Sequence, residues 1–595
     1  MSTASAGRKR IIVCCDGTWM DSDGQYQIPS NVTRIARAIK PVGVDQNGDS
    51  IPQIIFYQNG VGTGSRSLWV KYVGGATGEG LGTNIREAYS FICQNYNDGD
   101  EIFIIGFSRG AFTARSISSL IRAIGLLTST GLENFDSIFE DWQNQLKPDW
   151  RTKYPDYPWP GHVPPVDAPE YQRKMLELEL TRPDIPVKAV AVWDTVGGLG
   201  IPMIGLLPQP PSTDFSFVNT RVEPNIEYAF QALALDEHRR AYSPTIWEKP
   251  AGQALPKKLK QTWFPGVHSD VGGSYPDTDL ANLTLCWMVS QLDPFIDFEA
   301  NYVWKQVRLS IESHEKTVAR LRKDNPNAQM PSRRPWGLGK IHNSMSFFFR
   351  LGGSKIRTPG EYTESERADQ HGTLWWMTDK IATRLLSHPK PKPRLVNTNE
   401  SFHSSVRIRM GKRGKGYDDK GFYDSDALQG WVMSGDMADP DTPHQRSLPG
   451  PAGAMKNVVW HKRVTRRNDK GEEEDIETLN MPEDPMGDFE RTILQLWPEI
   501  SESFDCITPG GHGQDIKKRA LTYPPAGNAA TPPPPPVPGV PMLKADGVPP
   551  SRRRSLDPRQ RDRKSVASDD ASASSLAKED EEDVGGGQPE RAETY

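Results

Sequence analysis

The segment Gly106-Phe-Ser108-Arg109-Gly110 places a serine between two glycines, each two positions away. It follows the β-branched, apolar residues 102–106 and precedes the helix-like residues 111–127, so the spacing predicts a sharp strand-to-helix turn with Ser108 at its apex. A serine held there needs a strained backbone, and a side chain at either glycine would clash with the turn. The turn aims the hydroxyl off the edge of a sheet. The backbone N–H of Arg109, at the start of the helix, then points at a developing oxyanion with the positive end of the helix dipole behind it. This is an arrangement for nucleophilic attack on an acyl group.

A serine nucleophile needs a base, and the base an orienting acid. The apolar run 187–192 ends in Trp193-Asp194, and the run 259–264 leads into Pro265-Gly-Val-His268-Ser-Asp270. Both place a functional side chain at the carboxyl end of a buried strand, where open α/β sheets assemble their sites. The order Ser108, Asp194, His268 is that of the α/β-hydrolases. Ser108 is therefore expected as nucleophile, His268 as general base and then acid, and Asp194 as the carboxylate that orients it. Asp16-Gly17-Thr18 follows the first strand-like run and reaches the same edge, so a backbone N–H of Gly17 or Thr18 is the expected second oxyanion donor, beside Arg109. His403, in Glu400-Ser-Phe-His403, competes with His268 for the role of base. Asp16 and Asp270 have no task in a simple triad, which leaves open a metal site of Asp16, Asp194, His268 and Asp270 that activates water for phosphoester cleavage. That reading gives Ser108 nothing to do. The glycine-rich residues 59–64 lack the Gly-Lys-Ser/Thr ending of a nucleotide loop and read as a tight turn.

The elements that must position these residues alternate. Strand-like runs at 11–15, 54–57, 102–106, 187–192 and 259–264 are separated by helix-like stretches such as 84–96 and 111–127. Near-continuous apolar runs suit strands buried on both faces, and strand-helix alternation predicts a mostly parallel sheet flanked by helices. The expected fold is α/β, with an α/β-hydrolase-like catalytic core over 8–295. Within it, 128–184 reads as an insertion over the sheet, either a lid or a plain loop. Residues 296–505 mix helix-like stretches, aromatic clusters such as Phe347-Phe-Phe349 and Trp375-Trp376, and charge, and read as an extension of the catalytic domain. Residues 520–595 turn to proline and then to a basic block and an acidic end, the composition of a disordered tail, read first as a solvated segment and alternatively as one that binds unknown protein partners.

The chain has 595 residues, net charge −5, 25% charged and 36% hydrophobic residues. With no global cationic field, nucleic-acid binding is not expected. Five scattered cysteines without a Cys-x-x-Cys pair predict no disulfide framework and no structural zinc. No secretory signal and no apolar run of spanning length is seen, so the expected location is cytoplasmic, with peripheral contact if a membrane is met.

Five motifs in order, Cys15-Asp-Gly-Thr-Trp19, Tyr57-Gln-Asn-Gly-Val-Gly-Thr-Gly64, Gly106-Phe-Ser-Arg-Gly-Ala-Phe-Thr-Ala-Arg115, Val192-Trp-Asp-Thr-Val-Gly197 and Gly266-Val-His-Ser-Asp-Val-Gly-Gly273, carry a family likeness. Together they resemble the largely uncharacterised α/β-hydrolase-like domains that include the catalytic domain of type VI secretion phospholipase effectors, and this chain is similar to the fungal-type members. The likeness covers about 8–300, with a weaker echo at 400–409. It implies an esterase or lipase acting on phospholipid esters, with no cofactor, and the roles already given to Ser108, Asp194 and His268. The rival from another class is a scaffold that keeps the fold for binding while the tail recruits partners.

Overall fold

A computed structural model describes residues 7–17, 28–60, 79–145, 150–151, 164–166, 168–197, 221–327, 334–345, 353–363, 394–434, 458–467, 473–494, 496–497 and 500. In chain order the strands are β1 (Arg10–Cys15), β2 (Val42–Val44), β3 (Ser50–Gln58), β4 (Glu101–Phe107), β5 (Leu126–Leu127), β6 (Thr181–Arg182), β7 (Val187–Trp193), β8 (Ile226–Ala234), β9 (Lys258–Phe264), β10 (Glu400–His403), β11 (Trp431–Ser434), β12 (Val459–Arg467) and β13 (Glu473–Asp484). Among the described residues eleven of these join one sheet in the order β11-β12-β13-β10-β9-β8-β7-β4-β1-β3-β2. From β3 to β10 every pairing is parallel.

The apolar runs are continuous because both faces of the sheet are covered. Along β1, Ile12 and Cys14 enter one core while Ile11, Val13 and Cys15 enter the other, as the two-residue period of a strand requires. The first core also receives α1 (Asn31–Ala38), and the second receives α2 (Glu79–Asn95) and α3 (Arg109–Ile124). In the expected insertion, α4 (Phe135–Asn144) and α5 (Pro169–Glu177) bury Ile138, Trp142, Tyr171 and Met175 in the second core. On the first face, after α6 (His268–Gly272), come α7 (Asp279–Leu292) and α8 (Ala300–Asp324).

The five strand-like runs correspond to β1, β3, β4, β7 and β9. Helix α3 stops three residues short of the expected 127, because Gly125 takes a positive φ of 74° and its N–H closes the helix on the carbonyl of Ile121. Two regions carry what the sequence left without a fold. β8, rich in Ala, Glu, Gln and Leu, runs between β7 and β9, and β10 to β13 from the extension continue the sheet past β9. The clusters at 347–349 and 375–376, and the tail at 520–595, lie outside the described residues.

The chain leaves β1 for β3 on one side and for β4 on the other, so the strand order reverses between β1 and β4. A crevice opens at the carboxyl ends of strands flanking such a reversal. Cys15 pairs with Gly106 across this gap, which puts Asp16 and Gly17 beside Ser108.

Candidate active site

Ser108 sits between the end of β4 and the first turn of α3 with φ 58° and ψ −121°. Such values are costly for a residue with a Cβ and persist only where the surroundings impose them. Here the glycines impose them. A Cβ on Gly106 would lie 2.5 Å from the carbonyl oxygen of Gly110, and one on Gly110 would fall on the carbonyls of Cys15 and Asp16. The N–H of Ser108 is tied to the Trp193 carbonyl at 3.1 Å, locking the turn to β7.

The side chains converge as follows. His268 Nε2 lies 2.8 Å from Ser108 Oγ, and His268 Nδ1 lies 2.6 Å from Asp194 Oδ2. Asp194 directly follows β7 with φ 40°, and His268 opens α6 just beyond β9. Gly272, one turn on, has to be a glycine: a Cβ there would run into the ring of Phe107, which packs 4.7 Å from the imidazole. Tyr242 meets the other side of the imidazole edge-on at 4.9 Å. Asp194 is fully buried, and Ser108, at 8% exposure, is the least buried of the three.

Burial sets the electrostatics. It lowers the pKa of His268 below the ordinary histidine value, against the opposing pull of Asp194. On Asp194 burial pushes upward, but the charge of Arg357 and hydrogen bonds from His268 and Arg357 outweigh it and hold the carboxyl well below its usual range. Arg357 grips both oxygens, Nη1 to Oδ1 at 2.5 Å and Nη2 to Oδ2 at 2.9 Å, while the N–H of Ala234 donates to Oδ1 at 3.0 Å. The N–H of His268 donates to Glu237 Oε2 at 3.2 Å, and Glu237 is held in turn by Arg239, whose guanidinium stacks 3.6 Å from the Tyr242 ring. Sequence reasoning missed Arg357, Glu237 and Tyr242. Arg357 and Glu237 lie in loops and Tyr242 ends a single 3-10 turn, Arg240–Tyr242, and none has a spacing that marks it.

Other expected site residues lie elsewhere or are occupied. His403 is remote from the serine's partners: its ring bonds Ser405 at 2.8 Å and Glu490 at 3.1 Å and stacks 4.5 Å from Phe264, all buried. The alternative base is thereby corrected to a core histidine. Gly17 lies beside Ser108, but its N–H donates to Asp16 Oδ1 at 2.6 Å, which spends the proton expected for the oxyanion. Thr18 lies outside the described residues. Asp16 Oδ2 accepts from Ser30 at 2.7 Å, Thr33 at 2.8 Å and Tyr57 at 2.5 Å, so this carboxylate ties β1, α1 and β3 together at the reversal. Asp270 caps its own helix through the N–H of Val267 at 2.9 Å and bonds His342 Nδ1 at 2.6 Å. Asp16, Asp194, His268 and Asp270 therefore do not form one ligand set. Among the described residues no group of three or more His, Cys, Asp or Glu is placed to hold a metal ion.

Residues 9–291 match the family model described as T6SS, phospholipase effector Tle1-like, catalytic domain. This Tle1-like region is a little under half of the chain and contains Ser108, Asp194 and His268, while Arg357 lies outside it. An uncharacterized protein of Saccharomyces cerevisiae, YEL023C, is 34% identical over 163 residues, which are 25% of this chain and 23% of that protein. The chain thus spans about a quarter of the length of this curated relative. Among solved structures, a Tle1 effector bound to the VgrG spike from the type 6 secretion system aligns over 46% of this chain and 52% of its own at 19% identity, with a TM-score of 0.23. An uncharacterized protein from Pseudomonas aeruginosa aligns over 72% and 69% at 14% identity, with a TM-score of 0.24. Superpositions that loose leave the fold of the Tle1-like region to be argued from its own sheet.

Proposed function

We propose that this chain is a serine hydrolase with an α/β-hydrolase-like core that cleaves carboxylic esters of phospholipids through Ser108, His268 and Asp194. The observation that carries the reading is the unbroken hydrogen-bonded series from Ser108 Oγ through both ring nitrogens of His268 to Asp194, 2.8 and 2.6 Å long, ending at a serine with positive φ. A serine is kept in that backbone only where its position does something the strain can support. The match to a phospholipase effector family model over residues 9–291 supports that substrate class.

Attack by Ser108 Oγ on the ester carbonyl passes the hydroxyl proton to His268 Nε2, and Asp194 stabilises the imidazolium so formed. The N–H of Arg109, first residue of α3, faces the oxyanion with the helix dipole behind it. When the tetrahedral intermediate collapses, the ester C–O bond breaks and His268 returns its proton to the departing alcohol. Water then gives a proton to His268 and attacks the acyl-enzyme; as the bond from the acyl carbon to Ser108 Oγ breaks, His268 returns that proton to Oγ, releasing the fatty acid and restoring Ser108.

The test is hydrolysis of a glycerophospholipid in mixed micelles by the unmodified chain and by Ser108→Ala. The variant should lose activity by on the order of 10⁴-fold or more with its melting curve unchanged. Release of fatty acid by the variant at the unmodified rate would exclude the scheme.

A further inference from the structure

Arg357 reaches the site from a strap, residues 353–363, that belongs to the C-terminal extension. One end of the strap is stitched to the loop after β8: Arg239 and Ser354 form an antiparallel bridge, and the N–H of Lys355 donates to the His238 carbonyl at 2.9 Å. At the other end the N–H of Gly360 donates to Glu400 at 3.0 Å, and Tyr362 stacks 6.1 Å from Trp263 of β9. Arg357 is held between these anchors at 3% exposure. Besides its two bonds to Asp194, it donates to the carbonyls of Ala234 at 2.6 Å and Tyr242 at 2.8 Å. Each Asp194 oxygen therefore accepts one arm of the guanidinium and one further donor, Ala234 N–H at Oδ1 and His268 at Oδ2. A planar fork on both oxygens stops the carboxylate from turning about its own bond, which a point charge would allow.

We propose that Arg357 is the positioning residue of this site, fixing the plane of Asp194 and offsetting its charge, so that an arginine from outside the Tle1-like region sets the orientation and the working pH of the base. The inference rests on the hydrolase reading above. The groups facing His268 are Ser108 from the elbow, Asp194 from β7, Glu237, Arg239 and Tyr242 from the segment after β8, and Arg357 through Asp194. Those facing Arg357 are Asp194, Glu237 and Tyr362. Glu237 is paired with Arg239 at 2.8 Å, and Arg357 acts on His268 through the Asp194 carboxylate that both of them bond. Removing the cation leaves the full carboxylate charge to hold a proton on the imidazole, and the base then stays protonated to higher pH.

The experiment uses the full chain with Arg357→Gln and Arg357→Lys. The imidazole titration of His268 is read by NMR on ¹³C-labelled histidine in a Ser108→Ala background, and ester hydrolysis is measured in the background with Ser108 intact. Arg357→Gln should raise the titration midpoint by about one pH unit and lower kcat by about 10- to 100-fold with KM little changed. Arg357→Lys should return the midpoint and recover only part of kcat, since its point charge cannot grip both oxygens. A folded Arg357→Gln chain with an unmoved midpoint would reduce the arginine to a packing role and overturn the proposal. If that variant does not fold, Arg357→Lys decides alone, and full kcat in it would overturn the clamp. The titration needs no turnover, so a raised midpoint in a chain that hydrolyses no ester would uphold the clamp and reject the hydrolase reading.

Discussion

At Ser108 the backbone carries a conformation that most side chains avoid, and the neighbours that enforce it are identifiable: two glycines with no room for a Cβ and an N–H tied to the next strand. The hydroxyl gains a partner whose electrostatics favour accepting its proton at neutral pH. Burial lowers the pKa of His268 below its ordinary value, so its neutral, proton-accepting form persists to lower pH than that of a free histidine. The acid limb of kcat/KM for ester hydrolysis is therefore expected below about pH 6.5. Activity should hold through neutrality and fall only as the pH drops through that lowered value. A limb at or above 6.5 in a pH-rate profile would show that the charge of Asp194, not burial, governs the titration of His268. At this scale Ser108 and Asp194 were readable because each follows a mainly apolar strand-like run, and His268 because Trp263-Phe264 close such a run and lead into a glycine turn. Arg357 was not, because a lone cation in Ser354-Lys-Ile-Arg357-Thr-Pro has no period or partner in the sequence.

The element that makes the site is the joint between β4 and α3. Its tightness follows from packing: α3 crosses so close to the end of β1 that the hydrogen of Gly110 is all the space beside the Cys15 and Asp16 carbonyls admits. Gly110→Ala is expected to destabilise the chain by about 3 kcal/mol, as overpacking against backbone does, and to lose hydrolysis together with the elbow. The measurement is a denaturant midpoint paired with an activity assay; a variant with unchanged midpoint and full activity would show that the turn is looser than described. Strand β4 and helix α3 were legible from β-branched content and the glycine pair. β8 was not, since Ile226-Glu-Tyr-Ala-Phe-Gln-Ala-Leu-Ala234 is built largely from good helix formers. Pairing on both edges, with β7 and β9, overrides that local preference. The strands β12 and β13 were hidden differently: charged residues interrupt them, as Lys462 and Arg463 opposite Leu479 and Thr478 do, and leave no apolar alternation to read.

Across the whole molecule the sheet does not end where the Tle1-like region ends. β10 pairs with β9 in parallel, β13 with β10, and the strap over 353–363 returns across the carboxyl edge to meet Asp194. The extension thus contributes to the core and to the site, although the motif likeness in the sequence stops near 300. Local patterns reveal segments that bury themselves against their own helices; they do not reveal a side chain delivered from some 160 residues away, the separation between Arg357 and Asp194. Among the described residues no helix is long and apolar enough to cross a membrane. The central claim, that His268 activates Ser108 as a nucleophile, is tested most directly by a fluorophosphonate probe with the modified residue mapped by mass spectrometry. One adduct on Ser108, absent from Ser108→Ala and strongly slowed in His268→Ala, is the predicted result. A folded chain that takes up no probe, or takes it up on another residue, would contradict the account.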